Sequence, residues 1–352
     1  MVEPTDFDVP YLNSMRLLQT SRRSAPVPIH RGSAALALVL GLFLGLLGAG
    51  CQPQEAVSQS TERLYDWAGS KRQVFLNGQD TLVYRTIGQG PDTLLLIHGF
   101  GPFPAAQWEP QALALADSSF VIIPDMLFFG QSNGPDTALM PLDQAAKLES
   151  LLDVLGVRRF RLAGHSYGGL VSLALAQKMG PDRVKAMLLI DPLNPFFPRT
   201  VLNEVEREAG KPIEHVLVPS APSDLPLLLR LSFSQNVKIP ESLSQKMLDA
   251  MVQKNPTAQR SLLRVLKRRE PEIRSMLLPQ GIPTVLVWGA NDQLIPLSSG
   301  VELQRAMPGS ILLVKPHNGH TPHLESPVSV IQIFRRWRAS QGVKIEKTFR
   351  SK

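Results

Sequence analysis

Ser166 lies at the centre of the pentapeptide G-H-S-Y-G at residues 164–168, a spacing that can turn a serine into a nucleophile. An apolar run at 160–163 precedes it and a helix-like run at 170–179 follows it. A strand that turns sharply into a helix holds its corner residue in a strained backbone conformation, so the positions two before and two after must lack bulk. Gly164 and Gly168 meet that requirement. The pattern therefore predicts a nucleophile at a strand-to-helix turn.

A nucleophilic serine needs two partners, because an alkyl hydroxyl is a poor nucleophile at neutral pH. A histidine must take its proton, and a carboxylate must hold that histidine in the right tautomer. Asp292 follows an apolar segment at 284–288 that predicts a strand, and His320 follows the next predicted strand at 310–314. Both therefore lie in loops at strand ends. We predict that Ser166, His320 and Asp292 act as nucleophile, base and orienting acid.

The oxyanion formed by attack of Ser166 must also be stabilised, usually by two backbone N–H groups. Tyr167 begins the helix after the nucleophile, so its N–H is one predicted donor. The segment H-G-F-G at 98–101 follows a predicted strand at 93–97, and its glycines let the backbone approach a substrate closely. Phe100 in this loop is the second predicted donor.

Taken together, these segments resemble the α/β-hydrolase superfamily, in particular its large group of esterases and related hydrolases with a helical cap. The order serine, acid, histidine along the chain is the order of that superfamily. The resemblance covers residues 72–341 and rests on six segments in sequence: 98–101, Trp108, 124–132, 164–168, 289–292 and 319–327. It implies an α/β fold with a doubly wound, mostly parallel eight-stranded sheet, an inserted helical cap and no cofactor. One departure is M-L-F-F at 126–129, where many relatives carry a proline and a glycine.

Rival residues exist for the acid and for the base. Asp191 follows another predicted strand and is the alternative acid, because some relatives use that position. We favour Asp292, since its G-A-N-D setting matches the commoner family pattern. His317 and His323 flank His320, which alone of the three follows glycine in the family-like pattern.

Three further polar residues near the motifs have structural interpretations. His98 is expected to brace the oxyanion loop. His165 is expected to point away from the site at the turn. Asp125 is expected to fix the loop at 125–132.

Outside the motifs, the chain alternates strand and helix patterns, which implies a doubly wound sheet with the site at the carboxyl ends of its strands. An opening β-hairpin is predicted at 72–77 and 81–86, with Asn77 and Gly78 in the turn. Continuously apolar strands, typical of a sheet buried on both faces, are predicted at 93–97, 120–123, 160–163, 184–190, 284–288 and 310–314. Helices are predicted at 142–155, 170–179, 298–306 and 327–340.

The alternation breaks at 192–281, where helical stretches interrupted by prolines replace strands. A structureless loop of that length is implausible in a compact domain, so we predict a helical cap over the site. The apolar residues at 227–231 and 247–252 could line an acyl pocket, but packing within the cap is the favoured interpretation. The hydrolase core is thus divided into 71–191 and 282–341, and a basic tail follows at 342–352.

The amino terminus predicts export and lipid attachment. Several arginines precede an uncharged Ala/Leu/Gly-rich segment at 34–50, which ends at Cys51, the only cysteine in the chain. The pattern resembles a bacterial lipoprotein signal, with residues 1–50 as signal peptide and Cys51 carrying fatty acyl chains such as palmitate. Residues 51–70 are then the lipidated cysteine and its tether. An uncleaved membrane anchor is the alternative, and translation can also start at Met15 instead of Met1.

Composition excludes some classes of partner. The formal net charge of +7 over 352 residues is modestly basic, and no segment resembles a nucleic-acid-binding module. No His, Cys, Asp or Glu cluster has the spacing of metal ligands. We expect a monomer with no metal, cofactor or nucleic acid, whose partners are a small ester or acyl substrate and a membrane reached through the lipid anchor.

The predicted function is hydrolysis of carboxylic esters through an acyl-enzyme, by a catalytic domain held outside the cytoplasm on a lipid anchor. The same residues in similar relatives cleave carbon–carbon bonds of diketones, hydrolyse lactones or amides, transfer acyl groups or support cofactor-free perhydrolysis. A binding protein on a hydrolase scaffold that has lost activity is the alternative from a different class. Serine at the nucleophile position disfavours the dehalogenases and epoxide hydrolases of this fold, which use aspartate.

Overall fold

The computed structural model of the chain describes residues 69–101, 104–135, 139–235, 244–245, 248 and 255–340. The predicted signal peptide, Cys51, all but the last two residues of the predicted tether and the whole basic tail lie outside the described residues, as does most of the apolar stretch at 247–252. Among the described residues, no helix combines the length and the apolar character that crossing a bilayer requires.

Eight strands of the described chain form one sheet in the spatial order β1-β2-β4-β3-β5-β6-β7-β8. In sequence order they are β1 (Lys71–Asn77), β2 (Asp80–Ile87), β3 (Asp92–Ile97), β4 (Ser119–Pro124), β5 (Phe160–His165), β6 (Val184–Ile190), β7 (Thr284–Gly289) and β8 (Ile311–Lys315). Strand β2 runs antiparallel to β1 and β4, and the other neighbouring pairs are parallel. The prediction of a mostly parallel eight-stranded sheet is confirmed.

The helices of the described residues connect these strands. They are α1 (Pro104–Gln107), α2 (Glu109–Leu115), α3 (Pro141–Val154), α4 (Tyr167–Arg183), α5 (Arg199–Ala209), α6 (Ile213–Leu217), α7 (Leu225–Ser232), α8 (Pro256–Arg268), α9 (Glu270–Arg274), α10 (Leu297–Ala306), α11 (Pro322–Glu325) and α12 (Pro327–Ala339). A short 3-10 turn at Pro222–Asp224 precedes α7.

Alternate residues of the central strands pack against helices on opposite faces of the sheet. Leu162 and Leu189 belong to the core shared with α3, α4 and α10. Their neighbours Ala163 and Leu188 belong to the core shared with α2 and α12. Side chains alternate with a period of two along a strand, so two covered faces leave β5 and β6 buried along their whole length apart from Lys185. This two-sided burial explains why the sequence reads as continuous apolar runs.

The region between β6 and β7 is helical in its described parts, α5 to α9. Three of its prolines lie at the starts of helices, which fits the predicted helical stretches interrupted by prolines. Pro256 is the first residue of α8, and Pro226 and Pro271 are the second residues of α7 and α9. In the first turn of a helix the missing N–H is not needed and the fixed φ favours a helical start. A small core formed by Val205, Ile213, Val216 and Leu231 holds α5, α6 and α7 together.

Candidate active site

Ser166 occupies the corner between β5 and α4. Its backbone has φ 53° and ψ −121°, a conformation that non-glycine residues rarely adopt. A Cβ on Gly164 would lie 2.5 Å from the carbonyl oxygen of Gly168, and a Cβ on Gly168 would lie 2.2 Å from that of His98. The predicted need for two small residues around the corner therefore has a direct steric cause.

The three residues predicted to act together form a series in which His320 is within hydrogen-bonding distance of both Ser166 and Asp292. His320 Nε2 is 2.9 Å from Ser166 Oγ, and His320 Nδ1 is 2.7 Å from Asp292 Oδ2. The other carboxylate oxygen, Asp292 Oδ1, accepts the backbone N–H groups of Leu294 at 2.8 Å and Ile295 at 2.9 Å. A carboxylate fixed in this way places the imidazole proton on Nδ1 and leaves Nε2 free to accept the serine proton.

The rival residues take no part in this hydrogen-bonded series. His317 is exposed, and its carbonyl oxygen accepts the hydroxyl of Ser234. His323 is fully buried against Trp108, with ring centroids 5.0 Å apart. Asp191 is fully buried and accepts the N–H of Gly289 at 2.9 Å, whereas the carboxylate that His320 Nδ1 contacts is that of Asp292.

His98 braces the loop after β3, as predicted. Its Nδ1 donates to the carbonyl of Gly99 at 2.7 Å, and its Nε2 accepts the N–H of Met126 at 2.9 Å. The second contact requires an unprotonated Nε2, so the imidazole is neutral. Burial lowers the pKa of His98 to about 4, which keeps the ring neutral at physiological pH. The residue thus fastens two loops without titrating.

His165 lies next to the loop that carries His320. Its Nε2 donates to the backbone carbonyl of His320 at 2.8 Å. Its ring centroid is 5.0 Å from that of His320 and 4.4 Å from that of His323. Burial, and then the neighbouring histidines, lower the pKa of His165 well below its usual range, and burial lowers that of His323 to about 3. The expectation of a structural role fits this placement, although the ring supports the site instead of turning away from it.

The two predicted oxyanion donors lie in the loop after β3 and at the first residue of α4. Phe100 follows β3, and its ring packs against that of Tyr167 with centroids 5.9 Å apart. The loop is held by Gln107, whose Oε1 accepts the N–H of Gly99 at 2.9 Å. A Cβ on Gly99 would lie 3.0 Å from the Cβ of Ser166 and 2.5 Å from His165 Nδ1, so the loop lies too close to the nucleophile to carry a side chain at this position.

The segment 126–129, which departs from the family pattern, is buried. Phe128 has φ 74°, an unusual value for a bulky residue. Its carbonyl oxygen accepts Gln259 Nε2 of α8 at 2.7 Å, which ties the segment to the inserted helices. Phe129 packs edge-on against Phe100 at 4.8 Å. Asp125 accepts the N–H of Gln131 at 3.1 Å and so fixes this loop as predicted.

An apolar cavity extends from the serine into the inserted helices. Counted with its open mouth, it encloses about 1010 Å³. Ser166 and His320 lie among its lining residues, and its apolar wall is formed by Phe100, Tyr167, Leu193, Phe197, Leu202, Val205, Ile213, Leu217, Leu263, Leu266, Ile273, Leu294 and Ile295. The segment 227–231 does not contribute to it, and Leu231 packs inside the small core of α5 to α7. Packing was the favoured interpretation of that segment, whereas the residues that form the wall were not identified from the sequence.

The basic residues of the cavity lining form ion pairs. Arg274 and Arg199 contact Glu270 at 2.6 Å and 3.2 Å. Lys267 contacts Glu206 at 2.7 Å. These ion pairs link α5 with α8 and α9. Among the described residues, no group of three or more His, Cys, Asp or Glu side chains is arranged to hold a metal ion.

The fold and the arrangement of the site define a hydrolase of α/β architecture. The chain belongs to the α/β hydrolase fold family, whose sequence model matches residues 92–327. It is 25% identical over 315 residues to Lipase 3 of Moraxella sp. (strain TA144), covering 86% of this chain and 97% of that protein. It is 27% identical over 253 residues to 2-hydroxy-6-oxononadienedioate/2-hydroxy-6-oxononatrienedioate hydrolase 2 of Pseudomonas putida, covering 68% and 85%.

Solved structures show the same similarity. The crystal structure of a protein described as a membrane phospholipase A and a novel bacterial virulence factor has a TM-score of 0.68 and 25% identity to this chain. The match covers 89% of this chain and 99% of that one.

Proposed function

We propose that this protein is a serine hydrolase that cleaves carboxylic esters with an apolar acyl group, and that a lipid on Cys51 tethers it to a bacterial membrane. The observation that carries the catalytic part is the hydrogen-bonded series from Ser166 Oγ through His320 to Asp292 beside an apolar cavity. The similarity to Lipase 3 supports the choice of esters.

The proposed reaction has two stages. His320 Nε2 takes the proton of Ser166 as Oγ attacks the acyl carbon, and Asp292 stabilises the imidazolium that forms. The N–H groups of Phe100 and Tyr167 receive the developing oxyanion, and the positive end of the α4 dipole favours the same charge. His320 then protonates the leaving alcohol, and water releases the acyl group by the same steps in reverse order.

The cavity accounts for acyl binding. Each methylene group that leaves water for an apolar wall contributes about 0.8 kcal/mol. The hydroxyl-bearing end of the cavity is at Ser166, so an acyl chain bound along the wall presents its carbonyl to the nucleophile. Esters of increasing acyl length are therefore expected to give rising kcat/KM until the wall is filled.

Hydrolysis of a carbon–carbon bond is the second candidate. The similarity to the Pseudomonas putida hydrolase favours it, because the name of that protein describes a dienedioate substrate. The two candidates separate on a substrate panel. Turnover of ring-cleavage diketones that exceeds turnover of aryl and acyl-glycerol esters would replace the ester proposal.

The tether is tested independently of catalysis. Small residues followed by Cys51 support lipidation, and several acyl chains are needed because one chain holds a membrane only weakly. Cells grown with labelled palmitate are expected to label the wild-type protein in the membrane fraction and not Cys51→Ser. Equal labelling of the variant, or membrane attachment without label, would contradict lipidation at this cysteine.

The catalytic proposal is tested by Ser166→Ala on the ester panel. Loss of the nucleophile is expected to lower kcat by on the order of 10⁴ to 10⁶ while the protein remains folded. Ser220→Ala, at an exposed serine of the inserted region, is the matched control. Substantial residual turnover by folded Ser166→Ala would remove this serine from the reaction.

A further inference from the structure

Asp191 is a buried carboxyl group that the proposed mechanism does not use. It follows β6 directly, has φ 41° and is fully buried. Its N–H donates to the carbonyl of Val287 at 3.0 Å, and its Oδ1 accepts the N–H of Gly289 at 2.9 Å. Its backbone and its side chain therefore both hold the end of β7, three residues before Asp292.

The second oxygen of this carboxyl group lacks a donor. Asp191 Oδ2 is buried and accepts no hydrogen bond from the described residues. A buried ionised oxygen without a donor is costly, so such a group is expected to carry a proton. The hydroxyl then needs an acceptor, and the neighbouring carboxylate is that of Asp292.

The hydrogen bonds decide which of the two carboxyl groups is ionised. Asp292 receives three donors, from the N–H groups of Leu294 and Ile295 and from His320 Nδ1. Of the residues that the structure describes, only Gly289 donates a hydrogen bond to the carboxyl group of Asp191. Two neighbouring buried carboxylates cannot both ionise readily, and the charge goes to the group with more donors.

We propose that Asp191 is a protonated positioning residue that donates a hydrogen bond to the Asp292 carboxylate and so holds this acid in line with His320. The proposal rests on the proposed function of the site. It differs from a role for Asp191 as the acid of the triad, because a protonated carboxyl group that donates to Asp292 makes no contact with the base.

Electrostatics and packing point the same way. Burial first, then the negative charge of Asp292 and, more weakly, that of Glu325, raise the pKa of Asp191 well above its usual range. A Cβ on Gly289 would lie 1.9 Å from the carbonyl oxygen of Gly319, the residue before His320. The end of β7 that Asp191 holds therefore packs against the loop that carries His320, and it also leads into the loop that carries Asp292.

The protonation state is tested directly. Protein with carbon-13-labelled aspartate carboxyl groups is titrated by NMR, and Asp191→Asn assigns the resonance. We expect the Asp191 carboxyl to be protonated at pH 7. An ionised Asp191 at pH 7 would overturn the proposal, and this result does not depend on whether the protein hydrolyses esters.

The positioning role is tested by two substitutions. Asp191→Asn keeps a donor toward Asp292. We expect kcat to fall by less than about fivefold and the acid limb of the pH profile to stay at the same pH. Asp191→Leu removes the donor, and we expect kcat to fall by about 10- to 100-fold with little change in KM. A wild-type kcat for folded Asp191→Leu would overturn the role.

The pH profile of Asp191→Asn is decisive even if Asp191→Leu does not fold. If Asp191 were ionised, its replacement would remove a negative charge that stabilises the protonated imidazole of His320 and would move the acid limb to lower pH. Such a movement would overturn the proposal. An unmoved limb, together with rescue of kcat by asparagine relative to leucine, is the expected result.

Discussion

Replacement of Asp292 by asparagine would reverse one hydrogen bond while keeping every heavy atom in place. The backbone N–H groups of Leu294 and Ile295, at 2.8 Å and 2.9 Å from Oδ1, require an acceptor at that position. The asparagine oxygen must take it, so the amide NH₂ group turns toward His320 Nδ1. A donor at this point forces the imidazole proton onto Nε2, which then cannot accept the proton of Ser166.

The size of the effect follows from the lost tautomer. In triads where this carboxylate becomes an amide, kcat falls by about 10⁴, which corresponds to about 5.4 kcal/mol of transition-state stabilisation. Here the two backbone donors fix the amide orientation, so the full loss is expected. The assay is kcat/KM on an aryl ester, with folding checked by circular dichroism. Asp182→Asn, at an exposed carboxylate, is the matched control.

A loss of less than about tenfold in folded Asp292→Asn would refute this reasoning, since a triad without its acid retains far less activity. It would show that another carboxylate orients His320, and the buried Asp191, the alternative acid, is the first candidate. A loss of similar size in Asp182→Asn would instead point to a general effect of charge.

Three further predictions concern stability and specificity. Burial holds the pKa of His98 at about 4 and that of His323 at about 3. Both pKa values are lower in the folded than in the unfolded protein, so part of the free energy of unfolding present at pH 7 is lost as the pH falls below about 6.5. At pH 5 this loss is about 2 kcal/mol per histidine. Urea denaturation at the two pH values should show this loss and a smaller one in His323→Phe, whereas equal stability at both pH values would contradict it. Gln259→Leu leaves the Phe128 carbonyl without its 2.7 Å bond and should lower the free energy of unfolding by about 1–3 kcal/mol, while an unchanged denaturation midpoint would argue against that link. Leu263→Trp fills part of the cavity wall and should lower the octanoyl-to-acetyl ratio of kcat/KM by roughly tenfold or more, and an unaltered ratio would mean that acyl chains bind elsewhere.

The fold was predictable because its signals are local. Apolar runs, and for β1 and β2 the hairpin turn at Asn77 and Gly78, predicted every strand of the described sheet to within two residues at either end. The turn at Ser166 was predictable for a similar reason, since Gly164 and Gly168 are required by contacts of 2.2–2.5 Å that any larger residue would violate. Chain order then predicted which loops bring Asp292 and His320 to the serine.

Long-range features were not predictable in the same way. Nothing in the sequence indicates that Phe128 adopts φ 74° or that its carbonyl binds Gln259, because both depend on how α8 packs against a loop 131 residues earlier. The wall of the cavity has the same origin. Its helical residues, such as Leu263 and Leu266, share a helical spacing with ordinary packing residues such as Leu231, and only the tertiary arrangement shows which of them line the cavity.

The central claim is that Ser166 is an activated nucleophile, and the most direct test is covalent labelling. The purified protein is treated with a fluorophosphonate, which reacts with activated serines, and the adduct is mapped by mass spectrometry. The account predicts stoichiometric labelling at Ser166, none in Ser166→Ala, and slower labelling in Asp292→Asn. A folded protein that remains unlabelled, or an adduct that maps to another serine, would contradict the account.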